Sequence, residues 1–158
     1  MVVGIPAYSI VTLSTETVIT VCLLYVIFRA YSSGRLMRWL LATILAFETL
    51  FNISYMATRA ATHVMPKEHP HSAFHIGVAI FHGTFALLMF IALLVFMFFA
   101  WRGYGRGENY FKKRSTLTSM FVVAWLVALF SGYFFFYEGY FSAEGLQHRA
   151  LESVNVSQ

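Results

Sequence analysis

Four apolar runs, at roughly 8–30, 39–63, 72–101 and 115–141, take up most of a 158-residue chain and leave little of it for a soluble domain. A helix rises about 1.5 Å per residue and bilayer hydrocarbon is about 30 Å thick, so about 20 apolar residues cross it. Each run is long enough. Backbone N–H and C=O groups in hydrocarbon must be paired within the segment or in a closed barrel, and long uniform apolar runs select the helix. The chain is 59% hydrophobic and 11% charged, with a mean hydropathy of +0.68, which a water-soluble core does not explain. The expected fold is all-α: a single membrane domain over 1–158, multi-pass and integral to the cell membrane. Short connections make neighbours antiparallel, giving an up-down four-transmembrane-helix bundle.

The basic residues set the expected orientation. Arg29, Arg35 and Arg38 lie between the first two runs, and Arg102, Arg106, Lys112, Lys113 and Arg114 between the last two. Cytoplasmic loops carry such an excess, so both loops face inward and the termini and the 64–71 connection face outward, N-out and C-out. The first run follows a segment without Lys or Arg and reads as a retained span, not a cleaved leader. The net charge of +4 is accounted for by these topology determinants, so no nucleic-acid partner is expected. The lone Cys22 excludes an intrachain disulfide and a cysteine-built metal cluster. Small residues at four-residue spacing, Ala124/Ala128/Gly132, Ala42/Ala46 and Ala79/Gly83, suit close helix packing in lipid.

Five of the six histidines, His63, His69, His71, His75 and His82, fall within twenty residues at the junction of the second and third runs. Imidazole suits copper, zinc and haem iron, and His71 and His75, four apart on a helix, can share one ion. The candidate metal ligands are therefore His63, His69, His71 and His75, and the candidate cofactor ligands His63, His71, His75 and His82. The competing reading is a set of solvated histidines at the headgroups. The first and fourth runs contain no histidine, which removes the usual pair of stacked bis-histidine haems. One shallow haem held by His63 with His71 or His75 remains open, as does a weaker His82/Met56 pair.

Glu48, Asn52, Tyr55, Arg59 and His63 recur at helical spacing and form a polar stripe on one face of the second run. A charged side chain at the bilayer centre costs at least about 2.5–3.5 kcal/mol, so the stripe must face the bundle interior or another subunit. His82 lies about 16 Å below the outer start of its helix, at the depth of Asn52. Glu48, Asn52 and His82 are therefore expected to form one deep cluster, serving either as a proton or cofactor site or as a hydrogen-bonded clasp between helices. The clasp is the preferred alternative, because Asn and His commonly join membrane helices. Glu16, near the outer end of the first run, is expected to be hydrated, and the aromatic block Phe134–Phe136, Tyr137, Tyr140 and Phe141 reads as an interfacial belt.

Ser54-Tyr55 followed by His63, His82 opening an Ala/Leu-rich run, Arg102-Gly103 after it, and Trp125-Leu126, Ser131-Gly132 and Phe136-Tyr137 in the last run form a wider pattern. Over roughly residues 47–141 it resembles a family of small four-span membrane proteins of bacteria and archaea, a domain of unknown function linked with maturation of aa3-type cytochrome oxidase. The family's histidine in the basic loop before the last span is replaced here by Lys112-Lys113-Arg114. The resemblance implies a role beside a respiratory oxidase.

No nucleophile triad, phosphate loop or dinucleotide fingerprint is present, so an independent enzyme is not expected. The leading expectation is a non-catalytic membrane subunit or assembly factor of a metal-containing respiratory oxidase, holding copper or haem at its outer face and docking on larger membrane subunits. The alternatives are a small haem b electron-transfer protein and a purely structural accessory subunit of a larger membrane complex such as a copper-dependent monooxygenase.

Overall fold

The computed structural model describes residues 7–61 and 73–141. Every regular element among them is helical: α1 (Ala7–Ser33), α2 (Arg38–Ala61), α3 (Ala73–Gly105), the single turn α4 (Tyr110–Lys113) and α5 (Ser115–Phe141). Three stretches are long and apolar enough to cross a membrane, Ile10–Ser33, Ile80–Gly105 and Ser115–Tyr137. The chain is therefore a helical membrane protein. α2 is a further helix of 24 residues, packed beside α1.

Local chemistry ends α1 where the apolar run ends. The Ser32 and Ser33 hydroxyls donate back to the Phe28 and Arg29 carbonyls, and Gly34, at φ 69°, donates its N–H to the Ala30 carbonyl. Only glycine takes that left-handed cap without a steric penalty.

Paired side chains fix how the helices run. From the start of α1 toward its end, Thr17 meets Tyr133 and Thr20 meets Trp125, so α5 runs opposite to α1. His82 meets Ser131 and the Phe96 and Phe121 rings stack at 4.6 Å, so α5 runs opposite to α3 as well. The Arg38 guanidinium lies 5.9 Å from the centre of the Trp101 ring, which sets the start of α2 beside the end of α3.

The tightest packing lies in the half of the bundle nearer these basic residues. Leu23, Val26 and Ala30 of α1, Leu41 and Ile44 of α2, Leu93, Met97 and Ala100 of α3, and Phe111 of α4 are buried there. Large apolar side chains such as Val18, Phe28, Leu50, Phe98 and Phe130 point outward. In lipid that outward surface costs nothing, and helix association depends on close packing and hydrogen bonds.

The 102–114 stretch departs from the expected loop. α3 continues to Gly105, and α4 folds back so that Phe111, fully buried, packs 5.6 Å from Phe96 and 5.5 Å from Tyr104. Asn109 caps α4, its Oδ1 accepting from the Lys112 N–H. Gly103 is thus a packing residue: a Cβ there would sit 3.0 Å from the Tyr110 side chain. Gly107, at φ 79°, makes the actual turn. Of the small-residue rows, Ala124 and Ala128 pack against the core and Gly132 faces His82, whereas Gly83 opens on empty space.

Candidate functional site

The expected deep cluster is divided between two places. His82 is turned to α5, where its Nδ1 lies 2.9 Å from the Ser131 Oγ and its ring stacks on Phe135 at 5.9 Å. A Cβ on Gly132 would meet the imidazole Cε1 at 3.0 Å, so the glycine is what lets the ring lie against the helix. The Ser131 hydroxyl sits 2.7 Å from the Ala128 carbonyl, a contact that is attractive only if the serine proton lies in it. The hydroxyl can then only accept from the imidazole. His82 is therefore the Nδ1–H tautomer, with its lone pair on Nε2, the arrangement by which a hydrogen-bonded partner orients a ligating histidine.

Asn52 and Glu48 remain together on α2. The Asn52 Nδ2 donates to the Glu48 carbonyl at 2.8 Å and to its Oε2 at 3.3 Å. Glu48 is 3% exposed, and its Oε1 has no hydrogen-bond partner. Glu16, expected to be hydrated near the outer end of its helix, is half-buried.

Two more polar pairs join α1 to α5. Thr17 donates to the Leu13 carbonyl at 2.7 Å, which leaves Tyr133 as the donor in their 2.6 Å contact. The Trp125 indole N–H donates to the Thr20 hydroxyl at 3.1 Å.

At the opposite end the two basic connections meet. The Tyr104 hydroxyl reaches the Ala30 carbonyl at 3.0 Å and the Asn109 Oδ1 at 2.7 Å, and the Asn109 Nδ2 donates to the Tyr31 carbonyl at 2.9 Å. The Tyr31 carbonyl at the end of α1 is satisfied by the α3–α4 connection, which also adds a second donor to the Ala30 carbonyl already bonded to the Gly34 N–H. Arg29, Arg35, Arg38, Arg102, Arg106, Lys112, Lys113 and Arg114 consequently gather at one end, with Glu108 beside them in an exposed ion pair to Lys113 at 3.0 Å. Sequence reasoning found both loops but not the lock between them.

His63, His69 and His71 lie outside the described residues, as do the side chains of His75, Tyr55, Met56, Arg59, Tyr140 and Phe141. Among the described residues no three His, Cys, Asp or Glu side chains stand together as metal ligands, and Cys22 is free. Comparison with protein-family models, with curated proteins and with solved structures gives no match.

Proposed function

We propose that the protein is a non-catalytic membrane subunit or assembly factor of a metal-containing respiratory oxidase, a four-span scaffold that presents imidazole ligands at its outer end. The observation that carries this reading is the polarity of the bundle. One end is basic and locked by Tyr104 and Asn109. At the other end α2 stops at Ala61 and α3 starts at Ala73, so the histidine-rich connection leaves and re-enters the bundle there. α2 is the fourth span, since 24 residues extend about 36 Å as a helix. The gathering of both basic connections at one end supports the N-out, C-out orientation, with that end in the cytoplasm. His82, in the first third of α3 with its Nε2 lone pair left by the bond to Ser131, supports a ligand-bearing interior toward the outer end. The resemblance to the oxidase-maturation family supplies the partner class.

The test is purification in mild detergent with elemental analysis, a visible spectrum and identification of co-purifying proteins. Expected are an oxidase subunit in the eluate and bound copper or haem iron. The double variant His71→Ala, His75→Ala should lose much more of that metal than His148→Ala, and the loss should deepen at acid pH, because imidazole binds metal only when neutral. A Soret band without an oxidase partner would establish the haem b carrier instead. A stable complex free of metal and haem would leave the structural-subunit reading.

A further inference from the structure

We infer that the groove between α3 and α5 at the basic end of the bundle binds an anionic phospholipid, one acyl chain lying along the groove and the phosphodiester held by Arg114. The groove has a volume of about 600 Å³, a size at which protein surfaces hold small molecules. Phe96 and Phe121, stacked at 4.6 Å, form its floor with the small Ala92 and Ala124, and the exposed Val95 and Met120 form its walls. It follows α3 from Met89 to Phe99, ten residues or about 15 Å, which is half the thickness of the hydrocarbon and so the depth of one leaflet. Both helices are long and apolar enough to cross a membrane, so this recess opens on lipid.

Charge at the mouth selects the occupant. Arg114 immediately precedes α5, at the level where the apolar span meets the headgroups, and of the eight basic residues at this end it is the one that lines the groove. Arg38 lies over Trp101 and Arg102 over Phe98. Lys113 is paired at 3.0 Å with Glu108, the only carboxylate between 102 and 114. The Arg114 guanidinium lies 5.8 Å from the centre of the Tyr110 ring, and the lack of a side chain on Gly103 lets Tyr110 sit there. A cation–π contact steadies the guanidinium without supplying an oxygen acceptor, and among the described residues Arg114 makes no ion pair. Its fork of N–H donors matches two oxygens of a phosphodiester, and basic pockets between membrane helices take anionic headgroups in this way. A second hollow on the same two helices, lined by Gly77, Phe81, Phe130 and Ser131 among others, has no charged residue in its lining and offers such a headgroup nothing. The site stands on α3 and α5 alone and is independent of the histidines.

The test is native mass spectrometry of the purified full-length chain in mild detergent, stripped of lipid and titrated with phosphatidylglycerol or with phosphatidylethanolamine of the same acyl chains. Expected is tighter binding of phosphatidylglycerol. Arg114→Gln should weaken that binding about five-fold, the effect of one cation at a membrane surface, and leave phosphatidylethanolamine nearly unchanged. Arg114→Lys should keep most of the preference. Arg106→Gln removes the same charge from the turn outside the groove and, with surface charges screened by salt, should have a much smaller effect. Ala124→Leu fills the groove and should weaken binding of both lipids. Circular dichroism checks that this variant is folded, and Val95→Trp, which fills the groove from an exposed position, replaces it if it is not. An excess of glycerol 3-phosphate should displace neither lipid. Equal binding of the two lipids to the wild type overturns the inference, and so do equal losses in Arg114→Gln and Arg106→Gln, which would show diffuse surface charge. Lipid binding indifferent to a filled groove overturns it as well, leaving the groove to a helix of another chain, and displacement by glycerol 3-phosphate would identify a site for a soluble phosphate ester.

Discussion

Tyr104 has one hydroxyl proton and two acceptors within reach, the Ala30 carbonyl at 3.0 Å and the Asn109 Oδ1 at 2.7 Å. It holds α1 to the α3–α4 connection by sharing that proton, while Asn109 closes the circuit through its own amide to Tyr31. Tyr104→Phe removes the donor and leaves the acceptors behind, so a loss of about 1–2 kcal/mol is expected in a denaturant titration in mixed micelles. Asn109→Asp keeps the cap on Lys112 but loses the N–H to Tyr31, and should fall between the wild type and Asn109→Ala. Glu108 is a contrasting case at the same end. Its hydrogen bond to Lys113 and the charge of that ammonium, helped by Arg106 and Arg114, hold its carboxyl below the usual carboxylate range. A depressed folded-state value stabilises above the unfolded one and is lost as pH falls through the folded one. The contribution is therefore present at neutral pH and disappears in acid, and because the pair is exposed it is small and screened by salt. Glu108→Gln should flatten the acid limb of the stability curve slightly and leave the neutral value nearly unchanged.

At the scale of elements, α4 is the piece whose position depends most on one absent side chain. Its four residues are far too few to be a stable helix alone. They hold because Phe111 fills the space between Phe96 and Tyr104 and because Gly103 lets Tyr110 approach α3. Gly103→Ala places a methyl group 3.0 Å from Tyr110 and should cost about 1–3 kcal/mol through overpacking. Gly83→Ala, on the same helix with nothing within 4 Å, should be neutral or slightly stabilising, since alanine is the better helix former. Thermal melts of the two variants side by side give the comparison, and equal destabilisation would show that helix propensity, not the α3–α4 contact, governs both.

For the molecule as a whole, the arrangement that most needs a functional test is its orientation. Both basic connections lie at one end, and eight of the eleven Lys and Arg residues are there. In a Cys22→Ala background, an impermeant thiol reagent added to sealed cells should label a cysteine at position 69 and spare one at position 105. Labelling of 105 but not 69 would invert the orientation and remove the proposed ligands from the outer face. Labelling of both, or of neither, would show that the two positions share a side and that α3 does not separate them as a span.

The sequence by itself determined the helices, because hydrocarbon leaves a long apolar run little choice but to satisfy its backbone internally, and that requirement is local. The 115–141 run became α5 at Ser115–Phe141, and the other three runs lie within a few residues of α1, α2 and α3. Tertiary structure decided which polar groups meet. Depth counted along isolated helices put His82 with Asn52 and Glu48, but azimuth and tilt turned His82 to Ser131 and left Glu48 bonded to Asn52 on its own helix, and neither quantity is encoded in spacing along one helix. The α4 turn was hidden for a related reason: Phe111 is buried only because Gly103, Phe96 and Tyr104, brought together from another helix, leave room for it.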